Sequence, residues 1–508
     1  MVSEHKSAQV NFDSLLKIFT VPEGPDSTLT KIDEELSRNL NHFLRKHIVA
    51  EEKPLKEIEK DFSNAHIPEQ PQFVSDHTQH LLDTLVSHSV HTASPSFIGH
   101  MTSALPYFLM PLSKIMIALN QNLVKIETSK AFTPLERQVL GMIHRLIYGE
   151  TDHFYQQWMH SAEHSLGAFC SGGTIAILVS ERGHYSLKKA ADVLGIGQEG
   201  LVAVKTDAHN RICPHDLEQK ITELKANKIK VFAVVGVAGT TETGNIDPLR
   251  TIAQICQREQ IHFHIDAAWG GATLMSNRYR GLLDGVELAD SVTIDAHKQL
   301  YIPMGAGMVL FKDPNAMRSI EHHAQYILRQ GSKDLGSHTL EGSRSGMAML
   351  VYASMHIISR PGYQLLIDQS IEKARYFADL IDAQTDFELV SQPELCLLTY
   401  RYLPAHVRMA LEKSQGVQRA QLNELLNELT KFIQKKQRET GKSFVSRTQL
   451  NPHQWDKLAT IVFRVVLANP LTTKEILHNV LDEQREIAQQ APKLMRQIEH
   501  LTQCILNQ

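Results

Sequence analysis

Between about residues 165 and 312, short apolar runs rich in β-branched residues alternate with helical segments, and this alternation restricts the fold more than any other feature. "LVAV" (201–204), "VFAVVGV" (231–237), "IHFHI" (261–265), "SVTI" (291–294) and "GMVLF" (307–311) read as strands. "PHDLEQKITELKANK" and "PLRTIAQICQRE" read as helices between them. Strands that are apolar almost throughout must be covered on both faces, so the pattern predicts an α/β domain with a mostly parallel central sheet. A chain of 508 residues has room for more than one such unit. Residues 1–110 are punctuated by prolines and carry helical stretches such as "IDEELSRNLNHFLRKHI", which suits an N-terminal helical extension. "TPLERQVLGMIHRLIYG" predicts a helix with Thr133 as N-cap and Glu136 closing a capping box, within a large domain of residues 111–362. After "SRPGY" long helices flank the isolated strands "LCLLTYRY" and "ATIVFRVVL". That change predicts a smaller C-terminal α+β domain over 363–508, ending in one long helix from Thr472.

Composition narrows the class of partner. A formal net charge of −4 gives no polyanion-binding surface, so no nucleic acid is expected. No apolar run approaches the ~20 residues that cross a bilayer, and the first residues lack the charged start and apolar stretch of a secretory signal. Five scattered cysteines suit reduced thiols better than a disulfide framework. A cytoplasmic protein without a membrane partner is the expectation.

In an open α/β sheet, ligands gather where strands end. Four places there carry residues with chemistry. In "CSGGTIAILVS", Ser171, Gly172, Gly173 and Thr174 are read as leading into an apolar helix, whose bare N–H groups and dipole would seat a phosphate; a plain tight turn is the bland reading. In "HFHIDAAWGG", Asp266 ends a strand, either capping the next turn or holding a protonated ring nitrogen. His262, His264 and Asp266 share one strand face, as a metal site would require, but no fourth ligand is evident, and no metal is expected. In "SVTIDAHKQLYIP", Lys298 follows His297 at a strand end. A lone lysine usually snorkels to water, yet one desolvated at a sheet edge can form a Schiff base with an aldehyde. In "SERGHYSLKKAA", His184 is either a satisfied structural histidine or a flat ring to stack on a planar ligand.

Taken together, "CSGGT", "HYSLKKAA", "GTTETGNID", "HIDAAWGG" and "DAHK", in that order, resemble the group II pyridoxal-phosphate-dependent amino-acid decarboxylases. The likeness covers roughly residues 80–480, and "SPSFIGHMTSALP" is most similar to the bacterial members acting on aspartate, with those acting on glutamate next. The resemblance implies a fold-type I enzyme using pyridoxal 5'-phosphate (PLP) and assembling as a homodimer whose active site lies at the subunit interface. It implies Lys298 as the Schiff-base lysine, Asp266 as partner of the pyridine nitrogen and His184 stacked on the ring. Ser171, Gly172 and Gly173 would seat the phosphate, helped by Asp295 or His297. Thr241 would lie near the cofactor face and Ala268 beneath the ring. Arg464, in "IVFRVVLANP", would meet a substrate carboxylate; a paired structural charge is its bland role.

One departure bears on the outcome. The family carries a loop tyrosine that protonates the carbanion after CO2 loss, whereas "QGSKDLGSHTLEGSRSG" has none; Ser337 and His338 stand there, and His338 is the candidate acid. The expected reaction is α-decarboxylation of L-aspartate to β-alanine. Glutamate decarboxylation to 4-aminobutyrate, or an oxidative or transaminating outcome, are the alternatives. A metal-dependent hydrolase and a non-catalytic binding protein on a decayed scaffold are the rivals outside the class, the latter disfavoured because Lys298, Asp266 and His184 are all present.

Overall fold

The computed structural model describes residues 28–45, 49–50, 53–64, 72–149, 175–313, 315–321, 334–339, 341 and 343–507. Its centre is a six-stranded sheet in the order β2-β1-β3-β4-β5-β6, made of β1 (Ile175–Ser180), β2 (Leu201–Val204), β3 (Lys230–Val237), β4 (His262–Asp266), β5 (Ser291–Asp295) and β6 (Gly307–Phe311). The first five run parallel; β6 pairs antiparallel to β5. The reversal has a local cause. The connection 296–306 is too short to carry the chain back to the sheet's other end, so the next strand must return alongside the last. Along β3 every position from Ala233 to Val237 is buried, which places the strand under cover on both faces. Helices α1 (Phe132–Tyr148), α2 (Ser186–Val193), α3 (Pro214–Ala226) and α4 (Leu249–Glu259) surround this sheet.

A second, antiparallel sheet of order β7-β8-β10-β9 is built from β7 (Phe387–Ser391), β8 (Leu397–Tyr402), β9 (Ser446–Leu450) and β10 (Thr460–Val466). Its own core includes Phe377, Phe387, Tyr400 and Phe463, each at most 1% exposed. The long α5 (Ala348–Asp382) leads into it, bent at Ser359 (φ 63°) two residues before Pro361. Helix α6 (Gly416–Thr440) lies against β10. Part of the N-terminal region is stitched onto this sheet. The Ile98 N–H donates to Phe444 O (3.1 Å), and the Val466 N–H donates to Ile98 O (2.7 Å). Gly99 is required there, because a Cβ would lie 2.5 Å from the Phe444 ring and 2.6 Å from Ser446 N.

Three sequence expectations are corrected. The apolar run after Thr174 is strand β1, not a helix. The stretch after Thr472 is two helices, α7 (Lys474–Gln489) and α8 (Pro492–Leu506), because Pro492 cannot continue the first and instead starts the second. The capping box does not form. Helix α1 begins at Phe132, Thr133 Oγ1 pairs with Ser129 Oγ (2.6 Å), and Glu136 binds the Arg344 guanidinium. Among the described residues no helix is long and apolar enough to cross a membrane.

Candidate active site

The parallel strands place Asp266 and the turn bearing Lys298 at neighbouring strand ends, since Asp266 pairs with Thr293 two residues before the end of β5. Lys298 is one-fifth exposed, and its Nζ lies 2.9 Å from Asp295 Oδ2, a carboxylate that closes the same tight turn. His297 donates Nδ1–H to Ala306 O (2.9 Å), the only role open to a nitrogen facing a carbonyl, and its Nε2 lies 3.7 Å from Asp295. Asp266 accepts the Ala268 N–H (3.2 Å), so it shapes the next turn as an Asx residue. The Ala268 carbonyl in turn accepts the Asp295 N–H (3.3 Å), tying the two strand ends together. Gly270 comes next, where a Cβ would lie 2.3 Å from Ala238 O. Only glycine lets this loop pass the one carrying Thr241.

Thr241 meets Arg464 across the two sheets. Arg464 is held by β10 between Thr399 of β8 and Ser446 of β9, and is 8% exposed. Its Nε donates to Thr241 O (2.7 Å), and Nη1 reaches Gly99 O (3.4 Å) and Ser446 Oγ (3.5 Å). Among the described residues its buried Nη2 has no hydrogen-bond partner. Burial pulls this guanidinium down to about 10, partly opposed by the charge of Glu242, so it remains a cation at neutral pH. A buried cation with an unfilled donor pair is costly unless an anion completes it.

His184 comes after β1 and is half-buried; its Nδ1 accepts the Ser186 N–H (3.3 Å), so the neutral ring carries its proton on Nε2. His262 Nε2 and His264 Nδ1 both face Ser291 Oγ (2.9 and 2.8 Å). Burial lowers His264 to about 4. Among the described residues no group of three ligating side chains could hold a metal ion. Ser337 is buried and donates to Asp334 O (2.7 Å), and its turn (Leu335–His338) is pinned by the Gly336 N–H to Val124 O (3.1 Å). The His338 side chain lies outside the described part of the structure.

Ser171, Gly172 and Gly173 also lie outside the described residues. The next described element is strand β1, which begins at Ile175 where a helix was expected.

His100 is a residue that sequence reasoning misses. Its Nδ1 accepts the Thr102 N–H (3.2 Å). The residue is exposed at the surface, yet partial burial of its ring and then the charges of Arg464 and Lys298 lower its pKa, and its neighbour Gly99 accepts from Arg464 Nη1 through its carbonyl (3.4 Å). It lies within "SPSFIGHMTSALP", but nothing local marks it, because the partners are far away in the chain.

The ring end of PLP fits this arrangement: a lysine and a carboxylate at adjacent strand ends, with a histidine and Thr241 nearby. The conserved domain of pyridoxal-dependent decarboxylases matches residues 153–403. Aspartate 1-decarboxylase of Aliivibrio fischeri is 69% identical, covering 96% of each chain. That alignment runs over 528 positions, while 96% of 508 residues is about 488, so about 40 positions have no residue in this chain. The acidic amino acid decarboxylase of Xenopus tropicalis is 29% identical over 79% of this chain and 81% of its own. In fold, the crystal structure of mouse CSAD superposes with a TM-score of 0.81 at 23% identity, covering 92% of this chain and 99% of that one. The chain belongs to the pyridoxal-dependent decarboxylases, and its cofactor is pyridoxal 5'-phosphate.

Proposed function

We propose that this decarboxylase converts L-aspartate to β-alanine and CO2. The observation that carries the reading is Arg464, a buried cation whose Nη2 finds no hydrogen-bond partner among the described residues. An acidic amino acid brings a carboxylate for it beyond the one that is lost, and a planar fork suits that group. The high identity to an aspartate 1-decarboxylase supports a short side chain, while the more distant acidic amino acid decarboxylase leaves glutamate as the second candidate.

Bound PLP supplies an aldehyde for the substrate amine and a protonated ring that accepts the electrons of the breaking Cα–carboxylate bond. In this reading Lys298 holds the cofactor, with Asp295 fixing its Nζ beforehand. Asp266 keeps the proton on the ring nitrogen. His184 stacks on the ring, Ala268 lies beneath it and Thr241 lines its face. His297 serves the phosphate side. His338 gives the proton that Cα needs once CO2 has left, with Ser337 beside it. The large domain spans 111–362 and the small one 363–508, after an extension of residues 1–110. The enzyme works as a cytoplasmic homodimer with its active site at the subunit interface. The test is CO2 release by the PLP-loaded protein against the common amino acids. Aspartate should be turned over best, and an aromatic amino acid as best substrate would overturn the reading.

A further inference from the structure

We propose that Tyr301 is a positioning residue that fixes the distance between Lys298 and Arg464 and thereby selects the length of the substrate side chain. The inference rests on the reading of Arg464 as the holder of a second substrate carboxylate. Tyr301 comes three residues after Lys298, and its N–H donates to Lys298 O (3.1 Å), closing the turn on the lysine itself. The Ile302 N–H donates to Ala296 O (3.2 Å) and seals the same turn from outside. The Tyr301 side chain leaves that turn and crosses to the other sheet, where its hydroxyl donates to Ala468 O (2.8 Å). Ala468 stands four residues after Arg464, on a continuation of β10 that is itself held, since the Leu467 N–H donates to Cys396 O (2.7 Å). Tyr301 and Ala468 are 3% and 4% exposed, so water does not compete for their bond. One side chain thus joins the backbone that carries Lys298 to the backbone that carries Arg464.

The conformation of Tyr301 points the same way. Its φ is 58°, in the left-handed region that a bulky residue rarely adopts. Glycine would take that conformation without strain, but it has no hydroxyl to send across. A strained residue persists where its surroundings over-determine it. Here they are a closed turn on one side and the Ala468 carbonyl on the other. Two further ties run along the same seam. Gln299, 3% exposed, donates from Nε2 to Cys396 Sγ (3.1 Å), and Lys373 of α5 donates from Nζ to Asn469 O (2.6 Å). Aspartate and glutamate carry the same charged groups and differ by one methylene. A site that grips both ends tells them apart by how firmly those grips are spaced, and a misplacement of about 1 Å costs a well-oriented reaction on the order of a hundredfold. A seam that yields lets the longer acid in and holds the shorter one less well.

The test is Tyr301→Phe in the holoenzyme, which keeps the ring and removes one hydrogen bond. The ratio of kcat/KM for aspartate to that for glutamate should fall about 3- to 10-fold, the worth of one ordinary hydrogen bond, while cofactor absorbance stays as in the wild type. In the cofactor-free protein, amide hydrogen exchange should quicken at both 298–302 and 467–469. Gln299→Met, which removes the neighbouring tie, should move the ratio in the same direction by a smaller factor, and it decides the matter if the phenylalanine variant fails to fold. Equal losses for both acids with a lowered thermal midpoint would show a purely structural tyrosine and overturn the proposal. So would an unchanged ratio, or faster exchange confined to one of the two segments. If the wild type turns over neither acid, the reading of Arg464 falls instead, and the exchange comparison still decides whether Tyr301 joins the two segments.

Discussion

Replacing Arg464 by lysine tests the substrate reading most directly, because it keeps the charge and removes the fork. In the wild type, Nε is committed to Thr241 O at 2.7 Å and Nη1 to Gly99 O at 3.4 Å, leaving Nη2 for the substrate. A lysine has one nitrogen for all three jobs. Wherever it settles, at least one of the protein carbonyls or the carboxylate loses a hydrogen bond to a cation, a loss of about 1.5–3 kcal/mol. If the substrate bears it, KM for aspartate rises roughly 10- to 150-fold. The carboxylate on Arg464 is not the one that leaves, so it is held alike before and during bond cleavage, and kcat should change little. The assay is CO2 release against aspartate concentration, with cofactor absorbance and thermal midpoint measured on the same preparation. An unchanged KM in a well-folded variant would refute the reasoning. So would a collapse in stability with cofactor loss, which would show that Arg464 only braces the two sheets.

Other outcomes rest on the same geometry. Lys298→Ala should lose both the visible absorbance of bound cofactor and all CO2 release; borohydride reduction and peptide mapping of the wild type should label Lys298, and a label on another lysine refutes its role. Asp266→Asn should keep PLP yet slow decarboxylation on the order of a thousandfold, since an unprotonated ring accepts electrons poorly, and near-normal turnover would refute it. Ser171→Ala should weaken PLP binding roughly tenfold by equilibrium titration, the worth of one phosphate-bound hydroxyl, and an unchanged affinity would refute its place in the phosphate seat. His264 is held well below its usual pKa, at about 4, so the unfolded chain takes up its proton first. Its contribution to stability is therefore full above pH ~6.5 and lost as pH falls toward 4, by at most about 3 kcal/mol. His264→Asn should shift the acid-unfolding midpoint to lower pH in circular dichroism, and an unchanged midpoint would refute this.

How far the sequence reveals this architecture depends on the kind of signal each element carries. The runs at β2, β3, β5 and β6 are apolar and bounded by polar or glycine residues, and their strands fall within a residue of the expected limits. The run "IAILVS" has the same composition as a buried helix turn, and periodicity cannot separate the two over six residues. β9, with the sequence "SRTQL", alternates between exposed and less exposed positions and has no apolar run to find. The site divides in the same way. Asp266 and Lys298 sit at the ends of strands legible in the sequence, so their neighbourhood could be anticipated. Ile98 and Gly99, just ahead of His100, come to β10 and Arg464 only through hydrogen bonds between segments more than 360 residues apart, which no local pattern encodes.

That pairing also has a consequence for biosynthesis. Ile98 leaves the ribosome long before Val466, the residue whose N–H it must accept. At 5–20 residues per second the interval is roughly 20–70 s. Throughout it the 94–99 segment has no strand to join, and Phe97 and Ile98, fully covered in the finished enzyme, remain open to other chains. A growing polypeptide of this protein therefore carries its own early adhesive patch, and its yield should depend on holdase chaperones and on synthesis speed more than its final stability suggests.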